Sequence, residues 1–284
     1  MSGPLPPHPE SYLEQLRGFL REDWGTQDWS TAAVPDRPMK ARVSAKADLV
    51  LAGLPVALEL LRLVDPTLEL RPKTRDGEWT SRDQVVLEVE GSGHSILLAE
   101  RVMLNLLQRL SGTATLTRAF VDAVAGTRAR VLDTRKTTPG LKLLEKYAVR
   151  CGGGVNHRLT LGDGVLLKEN HLIAAGGVKP AVAAARAAAP NLLRIEVEVE
   201  TLGQLRECLQ SSEIDGVLLD NMSIPEIAEA VAIRNEAGSR LFLEASGNIT
   251  LETAHLVAET GVDFLSVGAL THSAPAADLS LRFV

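Results

Sequence analysis

The sequence predicts an α/β protein with two domains, a small α+β domain followed by a barrel of parallel strands. In the second half, apolar runs of strand length alternate with helical segments, at intervals close to one strand-plus-helix unit. Six or seven such units favour a closed barrel over a doubly wound sheet. The first part of the chain shows short alternating runs separated by turn residues. We therefore predict domains at residues 1–112 and 113–272, with the tail 273–284 packing on the first.

Helical spacing and turn residues define the elements of the first domain. Leucines at helical spacing predict a helix over residues 11–21, and a second helix is expected over residues 54–63. Alternating apolar runs predict strands at residues 41–45, 49–52, 68–70 and 85–89. Gly91-Ser92-Gly93 lacks the third glycine of a nucleotide-binding fingerprint, so we interpret it as a turn.

Two amphipathic helices are predicted around the domain boundary, over residues 95–110 and 115–125. On the first of these, Arg101, Asn105 and Gln108 recur along one face as a polar stripe. The pattern alone indicates a stripe that faces solvent.

The barrel strands are predicted from six apolar runs. The runs occupy residues 130–132, 165–167, 193–199, 217–219, 241–243 and 264–267. Capping boxes open two of the connecting helices, at Thr201 with Gln204 and at Ser223 with Glu226. Helices are also expected over residues 250–260 and over the alanine-rich segment 174–190.

Residues suited to chemistry stand at or just after the ends of these runs. They are Asp133, Thr134, Arg135, Lys136, Lys168, Glu198, Asp220, Glu244 and Ser266. The carboxyl ends of the strands form the active-site face of an α/β barrel, so these positions predict a functional mouth.

The early part of this mouth is cationic. Arg135, Lys136, Arg158 and Lys168 are candidate ligands for an anion, since arginine offers a planar fork to carboxylates and phosphates and lysine a compact charge. His157, next to Arg158, could donate a hydrogen bond or act as an acid or base. The sequence leaves its role open.

The late part of the mouth is acidic and glycine-rich. Glu198 and Asp220 end successive strands, and carboxylates of this kind suit Mg²⁺ held jointly with substrate phosphates. Alternation also places Glu196 and Glu200 on the side of Glu198, so at least one of the three should face a ligand or functional solvent. The loops Ser246-Gly247-Asn248 and Gly268-Ala269 could hold a phosphate through main-chain N–H groups.

Composition excludes several classes of protein. A net charge of −6 argues against a general nucleic-acid binder, and the only two cysteines are too few for a disulfide framework. The amino terminus lacks the pattern of a signal peptide, and no apolar window suits a membrane span. We therefore expect a cytoplasmic enzyme that acts on a small anionic substrate and has neither nucleic-acid nor membrane partners.

These motifs resemble those of the quinolinate phosphoribosyltransferase family (nicotinate-nucleotide pyrophosphorylase, carboxylating). The matching segments are residues 22–23, 51–55, 100–101, 105–112, 133–140, 146–149, 152–154, 156–158, 168–171, 196–198, 219–221, 244–247 and 267–268. The longest continuous match around the predicted mouth is Asp-Thr-Arg-Lys-Thr-Thr-Pro-Gly at residues 133–140, a motif too specific to arise by chance.

The resemblance implies an N-terminal α/β sandwich and an open α/β barrel, working as a homodimer or a higher assembly. It implies condensation of quinolinate with phosphoribosyl pyrophosphate, giving nicotinate mononucleotide, pyrophosphate and CO₂, with Mg²⁺. Arg101 would reach into the partner subunit's site, in contrast to the solvent-facing stripe that the pattern indicates.

The resemblance also implies roles for individual residues. Arg135, His157, Arg158 and Lys168 would hold the two quinolinate carboxylates, and Lys136 would lie near the ribosyl and pyrophosphate groups. Glu198 and Asp220 would take the ribose hydroxyls and the metal. Ser246, Gly247 and Gly268 would bind the 5′-phosphate, and Thr134 and Asn248 complete the substrate-binding set.

The chain departs from the family pattern at three positions. Thr160 stands where the family usually has glycine, Glu169 replaces a common aspartate, and Gln27 replaces a glycine. The first two adjoin the predicted site and could alter affinity, but none removes a named charge.

Two alternatives remain at this point. One is a sister pyrophosphorylase-like protein associated with molybdenum transport, which shares the barrel and the 133–137 motif. The pairing of residues 156–158 with residues 168–171 favours the quinolinate enzyme. The other alternative is a non-catalytic anion-binding barrel, against which the net acidity and the Glu198 and Asp220 pair both argue.

Overall fold

The computed structural model describes residues 3–284, and its contacts divide the chain into two compact units. The first unit takes in the chain up to Arg118, then Thr137–Gly153 and Leu270–Val284. The second unit takes in Ala119–Lys136 and Gly154–Ala269. Residues 1 and 2 of the predicted first domain lie outside the described residues. The contacts thus add Thr137–Gly153 to the first unit, whereas the sequence predicts a boundary after residue 112 and only the tail 273–284 returning to the first domain.

The helices, in chain order, follow a short 3₁₀ turn at Pro9–Ser11. They are α1 (Leu13–Trp24), α2 (Trp29–Ala32), α3 (Leu54–Val64), α4 (Gly93–Ala123), α5 (Lys142–Cys151), α6 (Glu169–Ala175), α7 (Val178–Ala188), α8 (Leu202–Cys208), α9 (Ile224–Glu236), α10 (Leu251–Glu259) and α11 (Ala269–His272).

The strands fall into three sheets. In chain order they are β1 (Pro38–Ala45), β2 (Leu49–Val50), β3 (Glu69–Pro72), β4 (Trp79–Thr80), β5 (Val85–Ser92), β6 (Arg130–Leu132), β7 (Val165–Leu167), β8 (Ile195–Val199), β9 (Gly216–Asp220), β10 (Phe242–Ser246), β11 (Phe264–Ser266) and β12 (Leu279–Phe283).

The first unit is a layered α+β structure. Its main sheet is antiparallel with the order β12-β1-β5-β3, so the chain's last strand pairs with β1. Apolar side chains of the sheet, such as Val43 and Leu87, share one core with Leu16, Leu60 and Leu107 from three helices. This core explains why α1, α3 and α4 keep their apolar faces on the sheet.

One helix replaces two predicted ones. α4 runs without a break through Ser111-Gly112-Thr113, where the sequence indicates a gap. At Gly112 the chain packs so closely that an added Cβ would lie 2.0 Å from the carbonyl oxygen of Pro275. The glycine therefore serves close packing within a helix, and it does not end the helix. Gly91-Ser92-Gly93 is likewise the junction of β5 and α4, so its interpretation as a turn was wrong.

The second unit contains the predicted parallel sheet. Its six strands have the order β6-β11-β10-β9-β8-β7, and every neighbouring pair is parallel. Within the described residues no ladder joins the edge strands β6 and β7, so the sheet is an open barrel. The open α/β barrel is confirmed, and the closed barrel suggested by the repeat alone is wrong.

Helices of the second unit follow their local start and stop signals. Both predicted capping boxes form, with the Ser223 N–H donating to Glu226 at 2.8 Å and the Thr201 N–H to Gln204 at 3.1 Å. In the alanine-rich segment the helix is α7 (Val178–Ala188), and it is separated from the end of α6 at Ala175 because Gly176 and Gly177 both adopt positive φ and interrupt the helical backbone.

No helix among residues 3–284 combines the length and apolar character needed to cross a membrane.

Candidate active site

Strand ends and loops of the second unit enclose a pocket of about 270 Å³. Its lining residues are Thr134, Arg135, Lys136, His157, Arg158, Leu166, Lys168, Glu198, Leu218, Asp220, Glu244, Ser246 and Ser266. The parallel register explains this convergence, since it places Ser246 of β10 level with Asp220 of β9 and with Ser266 of β11. Nine of these lining positions, from Thr134 to Ser246, belong to the predicted site.

The loop after β6 supplies two cations to the pocket. The side chain of Thr134 stabilises a turn in this loop, because its hydroxyl oxygen accepts a hydrogen bond from the Lys136 N–H at 3.0 Å. Asp133, just before it, is fully buried and accepts from the Asn156 amide at 2.6 Å and from the His157 N–H at 2.9 Å. Asp133 thus ties the two motif segments together at the base of the site.

Arg158 is the most deeply desolvated cation of the pocket. One of its terminal nitrogens donates to the Gly164 carbonyl at 2.9 Å, while its buried Nε finds no acceptor among the described residues. Burial, and then the positive charge of Arg135, lower the pKa of the Arg158 guanidinium, and the charge of Glu196 opposes them. A half-buried guanidinium whose buried Nε has no acceptor, and which has a cationic neighbour, would gain from a bound anion.

Lys168 and Glu198 form an ion pair across neighbouring strands of the mouth. Lys168 follows β7 directly, and its main-chain N–H donates to Nδ1 of His171 at 3.0 Å, which fixes the start of α6. Glu198 lies near the end of β8, with its side chain 14% exposed. The pair places one positive and one negative group at the same wall of the pocket.

A second acidic cluster, which we call the rear cluster, lies behind the mouth and consists of His157, Glu196, Glu244 and Ser266. His157 Nε2 lies 3.0 Å from Glu196 and 3.8 Å from Glu244, and the Ser266 hydroxyl donates to Glu244 at 2.5 Å. Burial, together with the negative charge of Glu196, raises the pKa of Glu244 well above its ordinary value. Two buried carboxyls this close cannot both carry a charge without a large penalty.

Sequence reasoning missed the importance of this cluster. The sequence places Glu244 and Ser266 at the ends of apolar runs and Glu196 among three alternating glutamates, and segments 196–198 and 244–247 match the family, but it predicts no role for these three residues. The structure separates these three glutamates, since Glu196 is buried, Glu198 lines the mouth and Glu200 is exposed beyond β8. The sequence signal that could have indicated the cluster is a charged residue, such as Glu196, within an apolar run of strand length.

The loops after β9, β10 and β11 complete the rim. Asp220 accepts from the side-chain amide of Asn221 at 2.9 Å. Gly247 has a φ of +99°, and an added Cβ there would lie 2.1 Å from Asn221 Oδ1 and 3.1 Å from its Cα. Only glycine fits that position. Asn248 and Gly268 follow the strand ends that line the pocket.

Arg101 belongs to the first unit. It lies on α4 with its side chain 60% exposed, and its nearest carboxylate is that of Glu100 at 3.9 Å. It lines a pocket of the first unit together with Trp24 and Asp28. Gln108, from the same stripe, is not solvent-facing, because its amide donates to the Leu279 carbonyl at 2.8 Å.

Glu198 and Asp220 do not form a closed metal cage. The one group of three metal-type ligand atoms found within the described residues is His157 with Glu196 and Glu244. Two carboxylates at an open mouth nevertheless suit a hard cation that takes its remaining oxygens from a phosphorylated substrate.

Two family models match the chain in succession. The model described as "Quinolinate phosphoribosyl transferase, N-terminal domain" matches residues 28–111, and the corresponding C-terminal domain model matches residues 113–282.

Relatives match the chain over nearly its whole length. A nicotinate-nucleotide pyrophosphorylase [carboxylating] of Mycobacterium leprae is 48% identical over 94% of this chain and 95% of that protein. A probable nicotinate-nucleotide pyrophosphorylase [carboxylating] of Synechocystis is 43% identical over 95% of this chain and 91% of its own length. The solved structure of the nicotinate-nucleotide pyrophosphorylase from Francisella tularensis superposes with a TM-score of 0.93 at 37% identity, covering 100% of both chains.

Proposed function

The chain belongs to the quinolinate phosphoribosyl transferase family, and from this premise we propose that it transfers the phosphoribosyl group of phosphoribosyl pyrophosphate to quinolinate with loss of CO₂. The products are nicotinate mononucleotide and pyrophosphate. One observation carries the proposal: four cationic side chains and two strand-end carboxylates line a single pocket. Two negatively charged substrates need cationic side chains to offset their repulsion. Substitution at a sugar carbon needs carboxylates to stabilise the positive charge that develops there.

The cationic wall binds the pyridine dicarboxylate. Arg135, Arg158 and Lys168 provide charge and hydrogen-bond donors for its two carboxylates. Arg158 is the best prepared of the three, because its buried Nε has an open donor that a carboxylate oxygen would satisfy. These contacts also offset the repulsion between quinolinate and the second, more negative substrate.

The acidic wall binds the ribose. Substitution at the anomeric carbon breaks its bond to pyrophosphate as the pyridine nitrogen attacks, and positive charge builds up on the sugar in the transition state. Glu198 and Asp220 stabilise that charge and accept hydrogen bonds from the ribose hydroxyls. Lys136 stabilises the negative charge that develops on the leaving pyrophosphate. The loops at Gly247 and Gly268 bind the 5′-phosphate through main-chain N–H groups.

Decarboxylation follows from the charge on the ring. Once the pyridine nitrogen carries the ribosyl group it is cationic, so the bond between C2 and its carboxylate can break with the electron pair left on C2. The released carboxylate leaves as CO₂, and C2 takes up a proton. The protein's part is to hold the ring and both charged substrates in place, with no covalent enzyme intermediate.

We also propose that Mg²⁺ binds to the site together with the pyrophosphate group of the substrate. Glu198 and Asp220 would hold it together with substrate oxygens, and the ion would neutralise charge on the leaving group.

We further propose a homodimer in which Arg101 enters the partner subunit's site. The support is its 60% exposed side chain, whose nearest carboxylate lies as far as 3.9 Å away. A long ion pair of an exposed arginine contributes little to stability, which leaves the Arg101 side chain available for another role. A cytoplasmic location stays a prediction, with which the two free, buried cysteines are compatible.

Substrate selectivity tests the activity. Turnover is measured with quinolinate or nicotinate, each with phosphoribosyl pyrophosphate, with and without Mg²⁺. We expect turnover with quinolinate only, and a loss of most activity when the metal is chelated. Lys136→Ala should lower kcat/KM by about 10²–10³-fold. Equal turnover with nicotinate, or none with either substrate, would refute the proposal.

Subunit mixing tests the position of Arg101. Arg101→Ala and Lys136→Ala subunits, each inactive alone, are combined and the heterodimers are purified by two affinity tags. If Arg101 acts in the partner's site, one site of each heterodimer is intact and activity returns to as much as about half. Verified heterodimers without activity would contradict a shared site.

A further inference from the structure

A second pocket of the second unit lies at the amino ends of the parallel strands, opposite the mouth. We call it the basal pocket, and its volume is about 290 Å³. Its lining residues at a strand start, or directly before one, are Arg130, Val165, Arg194, Phe242 and Phe264. None of these five lines the mouth pocket, so the two pockets open at different ends of the strands.

A shared wall separates the two pockets. His157, Arg158 and Glu244 line both of them. Nε2 of His157 lies 3.8 Å from a carboxylate oxygen of Glu244, which leaves no room for a ligand atom between these two groups. Glu196 lines the basal pocket and is not part of the mouth pocket. A molecule in the basal pocket therefore does not occupy the space that the proposed function assigns to quinolinate.

Part of the basal pocket's wall is aromatic. The rings of Phe242 and Phe264 meet edge to face, with their centroids 5.4 Å apart. A Cβ at Gly216, the first residue of β9, would lie 2.1 Å from the Phe242 ring, so this ring fills the space that a side chain at position 216 would need. Both phenylalanines are only partly buried. Ring surfaces that border a cavity favour a flat, apolar ligand body.

Two arginines at the outer end of the basal pocket lack acceptors in the protein. Arg130 and Arg194 are exposed, and within residues 3–284 neither guanidinium has a hydrogen bond or an ion pair to a carboxylate. The guanidinium carbon of Arg194 lies 5.8 Å from the centroid of the Phe242 ring, which keeps this cation beside the aromatic wall. Arginine matches a carboxylate through two parallel N–H donors, so this end of the pocket favours a carboxylate.

The inner end of the basal pocket contains an unsatisfied acceptor. Glu196 is only 5% exposed, and its Oε1 has no hydrogen-bond partner among the described residues. A buried acceptor without a donor is unfavourable, so an N–H group of a ligand would stabilise it. Glu196 follows Arg194 by two residues, which places them on the same side of an extended chain and about 6.6 Å apart along it. A benzene ring spans that separation.

We propose that the basal pocket binds a small aromatic carboxylate that carries an amino group opposite its carboxylate. The carboxylate pairs with Arg130 and Arg194, the ring packs against the two phenylalanines, and the amino group donates to Oε1 of Glu196. A cavity of about 150 Å³ is enough for benzene, so the basal pocket has room for a benzene ring with both substituents. This site goes beyond the proposed reaction and does not depend on it.

Three matched probes test the two polar ends of the pocket. Binding of 4-aminobenzoate, benzoate and aniline to the full-length protein is measured by isothermal titration calorimetry. Benzoate lacks the donor for Glu196, and aniline lacks the carboxylate for the arginines. We expect 4-aminobenzoate to bind at least about tenfold more tightly than either. Equal affinities of the three probes, or no binding of 4-aminobenzoate at millimolar concentrations, would overturn the proposal.

Competition with quinolinate distinguishes the two pockets. The 4-aminobenzoate titration is repeated with quinolinate at a saturating concentration, and we expect one 4-aminobenzoate still to bind per chain. If quinolinate abolishes this binding, the probe occupies the mouth and the proposal is wrong. If quinolinate neither binds nor reacts while 4-aminobenzoate binds, the basal site is supported and the proposed function is wrong.

Substitutions at the rim locate the bound probe. Arg130→Met and Arg194→Met keep the apolar stem of the side chain and remove the guanidinium. Each should weaken 4-aminobenzoate binding by about tenfold and leave the KM for quinolinate unchanged. Arg240→Met is the matched control, because Arg240 is exposed just before β10 but lines neither pocket, and it should bind the probe as the wild type does. Wild-type affinity in both rim variants would contradict the proposed site.

Discussion

Arg109→Met should destabilise the first unit by about 3 kcal/mol, because it leaves a charge buried without its partner. Glu145 is fully buried on α5 and accepts from Arg109 Nε at 3.1 Å and from one of its terminal nitrogens at 2.8 Å. Its other donors are the Thr138 N–H at 2.9 Å and the Thr138 hydroxyl at 2.7 Å.

The magnitude follows from what the substitution removes. Breaking a buried ion pair from one side typically costs about 3–5 kcal/mol. The lower end applies here, since the Arg109 side chain is 23% exposed and both Thr138 donors stay with the carboxylate. Arg109 also donates to the carbonyls of Thr271 and Ala274, which lose a donor in the variant.

Urea unfolding followed by circular dichroism measures the effect. Arg109→Met is compared with Glu145→Gln and with the double variant. Because glutamine carries no charge, the double variant should recover about 1–2 kcal/mol of what Arg109→Met loses. A loss below about 1 kcal/mol, or a double variant no more stable than Arg109→Met, would refute the reasoning.

Two further predictions concern the mouth and the surface of the first unit. Gly247→Ala should lower kcat/KM by more than about tenfold in the steady-state assay, because its Cβ would meet Asn221 in a loop that also requires positive φ; wild-type kinetics would contradict the close fit. Hydrogen bonds from Lys73 and Arg42 lower the pKa of Glu88 to about 2. The contribution of Glu88 to stability is fully present above the ordinary glutamate pKa, and it is lost as the pH falls from there to the lowered pKa of about 2. In urea titrations the advantage of the wild type over Glu88→Gln should therefore shrink from pH 5 to pH 2, and a difference independent of pH would count against it.

The barrel was predictable because its strands are encoded locally. Apolar runs of strand length, bounded by capping residues such as Thr201 and Ser223, indicate each strand and the helix after it. The same local reasoning failed where tertiary contacts decide. Gly112 looks like a helix breaker in the sequence, yet the proximity of Pro275 makes it a packing residue within α4.

The mouth of the site was predictable for a related reason. Strand ends of a parallel sheet meet at one face, so residues as distant in sequence as Arg135 and Asp220 could be placed together from the pattern alone. The resemblance to a family added roles for each residue, and those roles stay proposals.

The rear cluster could not be predicted. The hydrogen bonds of His157 depend on the rotation of its ring, and the proximity of Glu196 on β8 to Glu244 on β10 depends on the curvature of the sheet. Neither is encoded by spacing along the chain. A glutamate within an apolar strand indicates that a polar or charged partner lies near its side chain, but the sequence does not identify that partner.

Isotope labelling tests the central claim most directly. Quinolinate carrying ¹³C in either its 2-carboxylate or its 3-carboxylate is incubated with the protein, phosphoribosyl pyrophosphate and Mg²⁺, and the released CO₂ and the nucleotide are analysed by mass spectrometry. The account predicts ¹³CO₂ from the 2-labelled substrate alone, in equal amount to nicotinate mononucleotide and pyrophosphate. Release from the 3-carboxylate, or nucleotide formed without CO₂, would contradict it.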